Sequence, residues 1–296
     1  MVKRVALFLM VNFLVMASIT LALNLLGVQN YLTERGISYG PLMIFCLVWG
    51  MGGSLISLLL SKPLIKWKMN IKILNNKTIS HDYELKLVSM VHRLSRKAGL
   101  TGMPEVGIYE SMDINAFATG ATKNSSLVAV STALLHHLDE PAVEGVVGHE
   151  VAHIANGDMV TMSLVSGVVN SFVMFFSRLI ASVILRGNDR ENRGPNPFMY
   201  FIVVQLLDIV FMLFGSMLVA WFSRYREYRA DAGGADLAGK EKMIMALQAL
   251  QQKYEVQTPD EPENLAAFKI SGKRSWMRLF ATHPPLSDRI SRLKHG

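Results

Sequence analysis

Residues 139–158 read DEPAVEGVVGHEVAHIANGD. Asp139 is placed to cap a helix, with Glu140 and Pro141 in the first turn, where a proline gives up only an N–H that has no helical partner. Apolar residues recur at Val143, Val146, Val147 and Val151, the period of one buried helical face. On this helix His149 and His153 stand at i and i+4, so both imidazoles leave one side and reach the same ion. Glu150 is rotated by about 100°, where it can hold a water beside that ion. The pattern predicts a zinc hydrolase; a surface helix with two satisfied histidines is the competing reading.

The chain around this helix does not read as an ordinary soluble domain. Of 296 residues 51% are hydrophobic and 18% charged, against roughly 25% charged in an average soluble domain. The apolar residues gather in four long runs. Val5 to Val28 is uncharged and outlasts the roughly 30 Å hydrocarbon core; it is too long for the apolar part of a secretory signal, so it reads as a retained anchor. Pro41 to Leu60 is likewise uncharged. Met159 to Leu185 and Met199 to Phe222 flank the polar turn Arg186 to Phe198 and predict a hairpin. Lys62, Lys66, Lys68, Lys72 and Lys77 follow the second run with no acidic residue among them, which by the positive-inside rule puts the N-terminus and the segment after Leu60 in the cytoplasm. Arg178 and Asp208, the only charges in the last two runs, fall at similar depth and are expected to pair.

Two further counts narrow the function. The single cysteine, Cys46, lies inside a run, so no intramolecular disulfide forms and a zinc site must use histidine and carboxylate ligands. The net charge of +7 comes without a basic block interleaved with aromatics, which argues against a nucleic-acid partner.

The remaining segments, 61–158 and 223–296, are each too short to make a comfortable enzyme and are expected to build one catalytic domain, with residues 1–60 as a helix pair and 159–222 as the hairpin. Leu85, Val88, Val91 and Leu94 predict a helix over Asp82 to Ala98, and Val106–Glu110, Ala116–Thr119 and Leu127–Val130 predict short strands. The fold class expected is an α-helical integral membrane protein with four transmembrane helices and a mixed α/β, mainly helical catalytic domain. A catalytic zinc needs a third ligand. Glu227, with Asp231 one turn beyond it, is the candidate: two crossings return the chain to the side it left, so Glu227 emerges just after Phe222 while His153 lies just before Met159. Asp231 is expected to accept a hydrogen bond from a ligand histidine and fix its tautomer.

With these elements in place the chain resembles the HtpX family, membrane zinc metalloproteases of the gluzincin group related to the CAAX prenyl proteases. The resemblance rests on two N-terminal spans, Asn115-Ala116-Phe117-Ala118-Thr119-Gly120, the His149 to His153 motif followed by Asn156-Gly157-Asp158, the hairpin, Glu227 with Asp231, and His283-Pro284-Pro285 with Asp288-Arg289. It implies a zincin-like fold, His149, His153 and Glu227 as ligands of one Zn2+, and Glu150 as catalytic base. It also implies cleavage of misfolded or damaged membrane proteins at the cytoplasmic face of a bacterial inner membrane. In gluzincins a further histidine commonly donates to the oxyanion. His283, fixed by two prolines, is the candidate, the alternative being a structural turn tied down by Arg289, which can instead pair with a carboxylate near the site. Asn115, Ala116, Phe117 and Ala118 read either as an edge strand that pairs with an extended substrate or as an interior strand. The partners implied are unfolded membrane proteins and the bilayer. A rival class, a membrane adaptor or metal transporter with structural zinc, is disfavoured because a transporter places its ligands within its spans, and every ligand here lies outside them.

Overall fold

The computed structural model describes residues 39–75, 77–186, 196–256 and 280–295. The expected first span, Val5 to Val28, lies outside the described residues, as do residues 187–195 of the polar turn. In chain order the elements are α1 (Tyr39–Lys68), β1 (Lys72–Ile73), α2 (Asp82–Lys97), β2 (Glu105–Tyr109), β3 (Ala116–Thr119), β4 (Leu127–Ser131), α3 (Thr132–His137), α4 (Glu140–Asn156), α5 (Asp158–Arg186), α6 (Pro197–Ala238), α7 (Lys240–Val256) and α8 (Leu286–His295). The chain divides into two compact units, Met1–Ile56 with Leu164–Ser216, and Ser57–Ser163 with Met217–Gly296.

The described residues of the first unit are apolar helix. Pro41–Lys68, Asp158–Leu185 and Pro197–Ala238 are long and apolar enough to cross a membrane, with mean hydropathies of 2.1, 2.0 and 2.3. Within it Leu42 and Cys46 of α1 pack against Met174 and Phe175 of α5. Arg178 and Asp208 are both buried, but the direct pair expected between them is not formed. The Arg178 guanidinium turns back along its own helix and donates to the Met174 carbonyl at 3.0 Å, and neither carboxylate oxygen of Asp208 accepts a hydrogen bond. A long arginine side chain can satisfy itself on the i−4 carbonyl of its own turn, an outlet that spacing along the sequence does not reveal.

The second unit is built on a four-stranded sheet of order β1-β2-β4-β3. β2 and β4 run parallel, with Val106 opposite Val128 and Ile108 opposite Val130; β1 and β3 pair antiparallel to β2 and β4. Alternation sends Val106, Ile108, Val128 and Val130 into a core with Leu87, Val91 and Leu94 of α2 and Val147, Val151 and Ile154 of α4. The opposite face, carrying Tyr109, Leu127 and Ala129, is covered by Ile65 and Met69. β3 is an edge strand of this sheet. Three lysines of the positive run find acidic partners far along the chain: Lys62 lies 3.1 Å from Glu105, Lys66 pairs with the same carboxylate, and Lys72 lies 2.6 Å from the buried Glu84. Glu84 also accepts the backbone N–H groups of Ser80 and His81, closing the open start of α2. Glu144 of α4 sits between Arg93 of α2 (2.9 Å) and Lys242 of α7 (2.7 Å), so one buried carboxylate ties three helices together.

Candidate metal centre

The site is assembled where α4 ends. Gly157, in the left-handed region at φ 71°, stops α4 one residue before α5 begins. His149 and His153 are buried on α4, and Glu227 and Asp231, one turn apart on α6, are buried opposite them. The Nε2 atoms of the two histidines lie 3.1 Å apart. Glu227 Oε2 lies 3.5 Å from His149 Nε2 and Glu227 Oε1 3.3 Å from His153 Nε2. The two rings stand nearly perpendicular, at 83°. Their other nitrogens face outward onto carboxylates: His149 Nδ1 is 3.0 Å from Asp231 Oδ1, and His153 Nδ1 is 2.6 Å from Asp158 Oδ2.

These residues fit a bound metal on three counts. Zinc bonds of about 2.0 to 2.1 Å in a tetrahedron give ligand–ligand edges of about 3.3 Å, and the two histidine Nε2 atoms and the Glu227 carboxylate are spaced at 3.1, 3.3 and 3.5 Å. Both oxygens of Glu227 are buried without a well-aligned hydrogen bond, and their neighbours are the imidazoles of His149, His153 and His283 and the guanidiniums of Arg226 and Arg289, a wholly cationic or metal-ligating surround. Charge agrees. Burial lowers the pKa of His149, but Asp231 and Glu227 outweigh it and the net shift is upward. For His153 the same contest, with Asp158 and Glu227 against burial, ends at about 9. Burial raises the Glu227 carboxyl, and the three imidazoles around it overcome this and hold it well below the usual carboxylate range. A pocket that draws protons onto two imidazoles is one in which positive charge is stabilised, and a divalent cation supplies it while using the Nε2 lone pairs.

Around this core, Arg289 of α8 is buried and bidentate on Asp231, with Nε 2.8 Å from Oδ2 and one terminal nitrogen 2.5 Å from Oδ1; its other terminal nitrogen is 3.5 Å from Glu227 Oε2. Arg289 therefore pairs with a carboxylate of the site, the second of the two roles open to it in the sequence. The His283 side chain is 62% exposed, with Nδ1 2.9 Å from Glu227 Oε2, and Arg224 donates to the Ala281 carbonyl two residues before it at 2.7 Å. Glu150 is half-buried, and its charge acts on His153, Arg289 and Tyr109. Asn115 exchanges hydrogen bonds with Ser131, and Ala116 and Ala118 pack onto the core that contains α4.

Residues 82–296 match Peptidase family M48. The chain belongs to peptidase family M48. As an M48 peptidase it is a metalloprotease, a hydrolase that uses a bound metal, and its apolar helices place it among membrane proteins. It is 51% identical to a protease HtpX homolog of Bacillus licheniformis over 99% of each chain. It is also 47% identical to protease HtpX of Cronobacter sakazakii over 99% of this chain and 98% of that one. The HtpX resemblance read from its motifs is thus a family relationship. The crystal structure of Ste24p from S. mikatae shares the fold with a TM-score of 0.57 at 19% identity, covering 93% of this chain; this M48 chain spans 63% of the length of that one.

Sequence reading passed over three residues at this M48 site. Asp158 was visible only as part of a motif, although a glycine followed directly by an acidic residue at a helix end is a signal that the chain turns a carboxylate back toward the last turn. Arg226, whose terminal nitrogens lie 3.3 Å from His153 Nδ1 and 3.5 Å from Glu227 Oε1, and Arg224 looked like ordinary charges beside a membrane run.

Proposed function

We propose that this M48 protease is a four-span zinc endopeptidase of the bacterial inner membrane, with both termini cytoplasmic, that cuts misfolded or damaged membrane proteins at the cytoplasmic face. In this reading residues 1–60 form a helix pair, 159–222 a hairpin, and 61–158 with 223–296 the catalytic domain. His149, His153 and Glu227 hold one Zn2+. The observation that carries the reading is the spacing of their ligand atoms, 3.1, 3.3 and 3.5 Å, around the buried carboxylate of Glu227.

When bound, zinc supplies Lewis acidity, lowering the pKa of a water and polarising the scissile carbonyl. The rest is done by side chains. Glu150, next in sequence to a ligand and half-buried, accepts the proton of the attacking water and passes it to the leaving amine. His283, exposed to solvent beside Glu227, donates to the oxygen that becomes an oxyanion. Asp231 holds the His149 tautomer, and Arg289 holds Asp231. Residues Asn115 to Ala118, at the open edge of the sheet, pair with an extended substrate through backbone hydrogen bonds, which gives weak sequence selectivity and suits unfolded chains.

Purified full-length protein in detergent should carry one zinc per chain and cleave an unfolded membrane protein. Chelation should abolish cleavage and zinc should restore it. Zinc bound without cleavage of any unfolded substrate would favour a structural site and sink the proposal.

A further inference from the structure

We propose that Asp158 is a positioning residue that sets how tightly the metal is held, acting through His153, and that it does so more strongly than Asp231 does through His149. The inference rests on the ligand set proposed above. A histidine that binds metal through Nε2 must carry its proton on Nδ1, and a carboxylate accepting that proton fixes the tautomer, orients the ring and makes Nε2 a better electron donor. Both ligand histidines have such a carboxylate, but the two are not equivalent.

Asp231 divides its charge. Its two oxygens take the Arg289 guanidinium at 2.5 and 2.8 Å, and Oδ1 also faces His149 Nδ1 at 3.0 Å. Asp158 is as deeply buried, and among the described residues it makes no ion pair with lysine or arginine. Its contact with His153 is the shorter, 2.6 Å. As the first residue of α5 it lies at a helix N-terminus, where the helix dipole favours its charge. Arg226 comes within 3.3 Å of the same Nδ1, but with the Nδ1 proton directed at Asp158 that nitrogen offers it no lone pair. The undivided carboxylate therefore polarises His153 more than the shared one polarises His149.

Asp158→Asn keeps the size and an oxygen that accepts the Nδ1 proton, and removes the charge. Zinc affinity of the full chain in detergent, measured by competition with a chelator, should fall by about 10- to 100-fold in this variant, the range for removing a partner of a ligand histidine. Asp231→Asn, alone and combined with Arg289→Gln so that no buried guanidinium is stranded, should lose less. Cobalt-loaded Asp158→Asn should show a shifted visible spectrum, because one imidazole has become a weaker donor. Far-UV circular dichroism and melting of the metal-free protein should match wild type, since the role is on the ligand rather than on the fold. The inference is overturned if zinc affinity of Asp158→Asn stays within about twofold of wild type, if Asp231→Asn with Arg289→Gln loses more, or if metal-free Asp158→Asn unfolds. His153→Ala tests the ligand set separately: retention of tight zinc there would remove the reading on which the inference stands, whereas loss of zinc there with normal binding by Asp158→Asn would remove the inference alone.

Discussion

Gly145→Ala should destabilise the catalytic domain, although alanine is the better helix former. A Cβ at position 145 of α4 would lie 2.3 Å from the Lys242 carbonyl oxygen, 2.8 Å from its carbon and 2.9 Å from Ala246 Cβ. Normal contact requires α4 and α7 to part by on the order of 1 Å, a shift that interiors packed near crystal density resist. Helix propensity favours alanine by about 0.8 to 1 kcal/mol, while overpacking a well-filled contact costs about 1 to 3 kcal/mol. The upper end applies because the obstacle is backbone, and because the same parting stretches the 2.7 Å bond between Lys242 and Glu144. A net loss of about 1 to 2 kcal/mol follows.

The neighbouring crossing gives a control. A Cβ at Gly234 of α6 would meet His149 N at 3.0 Å and Cα at 3.1 Å, with Met243 Sδ at 3.0 Å, so a few tenths of an ångström suffice and the fold should survive. What moves is the backbone of His149. Gly145→Ala should therefore lower the melting temperature of the full chain in detergent with the zinc content of the folded fraction little changed. Gly234→Ala should keep the melting temperature and lose zinc affinity. A Gly145→Ala protein as stable as wild type would show that α4 and α7 are not in rigid backbone contact, and the reasoning would fail.

The two glutamates of the site should fail differently: Glu227→Gln should lose zinc on dialysis, whereas Glu150→Gln should keep zinc and lose about 10² to 10⁴ in cleavage rate, the usual worth of general acid–base catalysis; elemental analysis and a peptide-release assay on both decide it. Stability should fall in acid because Glu84 and Glu144 are held below the ordinary carboxyl value of 4.5, burial raising each and Lys72 with the Ser80 and His81 amides, or Lys242 with Arg93, outweighing it. A lowered folded pKa gives stability that is present above 4.5 and lost as the pH drops from there through the folded values. The stability difference between wild type and Glu84→Gln/Glu144→Gln, followed from pH 7 downward, should shrink across that window, and a constant difference would refute the assignment. Asp208→Leu should lower the melting temperature less than a direct ion pair would require, since Arg178 is already bonded to the Met174 carbonyl and no Asp208 carboxylate oxygen accepts a well-aligned hydrogen bond; a loss near the roughly 3 kcal/mol of a stranded membrane charge would mean that Arg178 depends on it directly.

How much of this was legible depends on whether the cause is local. The helix bearing His149 and His153 could be read because cap, proline and apolar period all lie within one stretch, and the strand Ala116–Thr119 because its turns flank it. Glu227 could be reached only through a topological argument, that two crossings bring the chain back. In the structure the apolar run and the two carboxylates belong to a single helix of 42 residues, Pro197–Ala238. Nothing in the sequence marks the end of such a run as the end of a helix, because bilayer and protein core favour the same backbone. The lysines after Leu60 were counted for topology, and their pairing with Glu84 and Glu105 was invisible because it depends on how two helices pack against the sheet. β1, two residues long, and the short α3 carry too few positions for any period to show.

Charge connects these scattered pieces. Four carboxylates, Glu150, Asp158, Glu227 and Asp231, act on the two histidines, and two guanidiniums, Arg226 and Arg289, lie against them. That leaves two negative charges uncompensated in a largely buried space, the amount a divalent ion neutralises. Side chains come from α4, α5, α6 and α8, and like charges on separate helices repel until something of opposite sign sits among them. The metal then acts on folding as well as on chemistry, since binding free energy gained only by the assembled site is free energy of assembly. The distribution of the two guanidiniums is uneven, both reaching Glu227, one also clamping Asp231 and neither pairing with Asp158. A ligand cage with one charge-neutralised support and one bare support has its strongest donor on the bare side, so small movements at the junction of α4 and α5 weigh more on the metal than equal movements of α8.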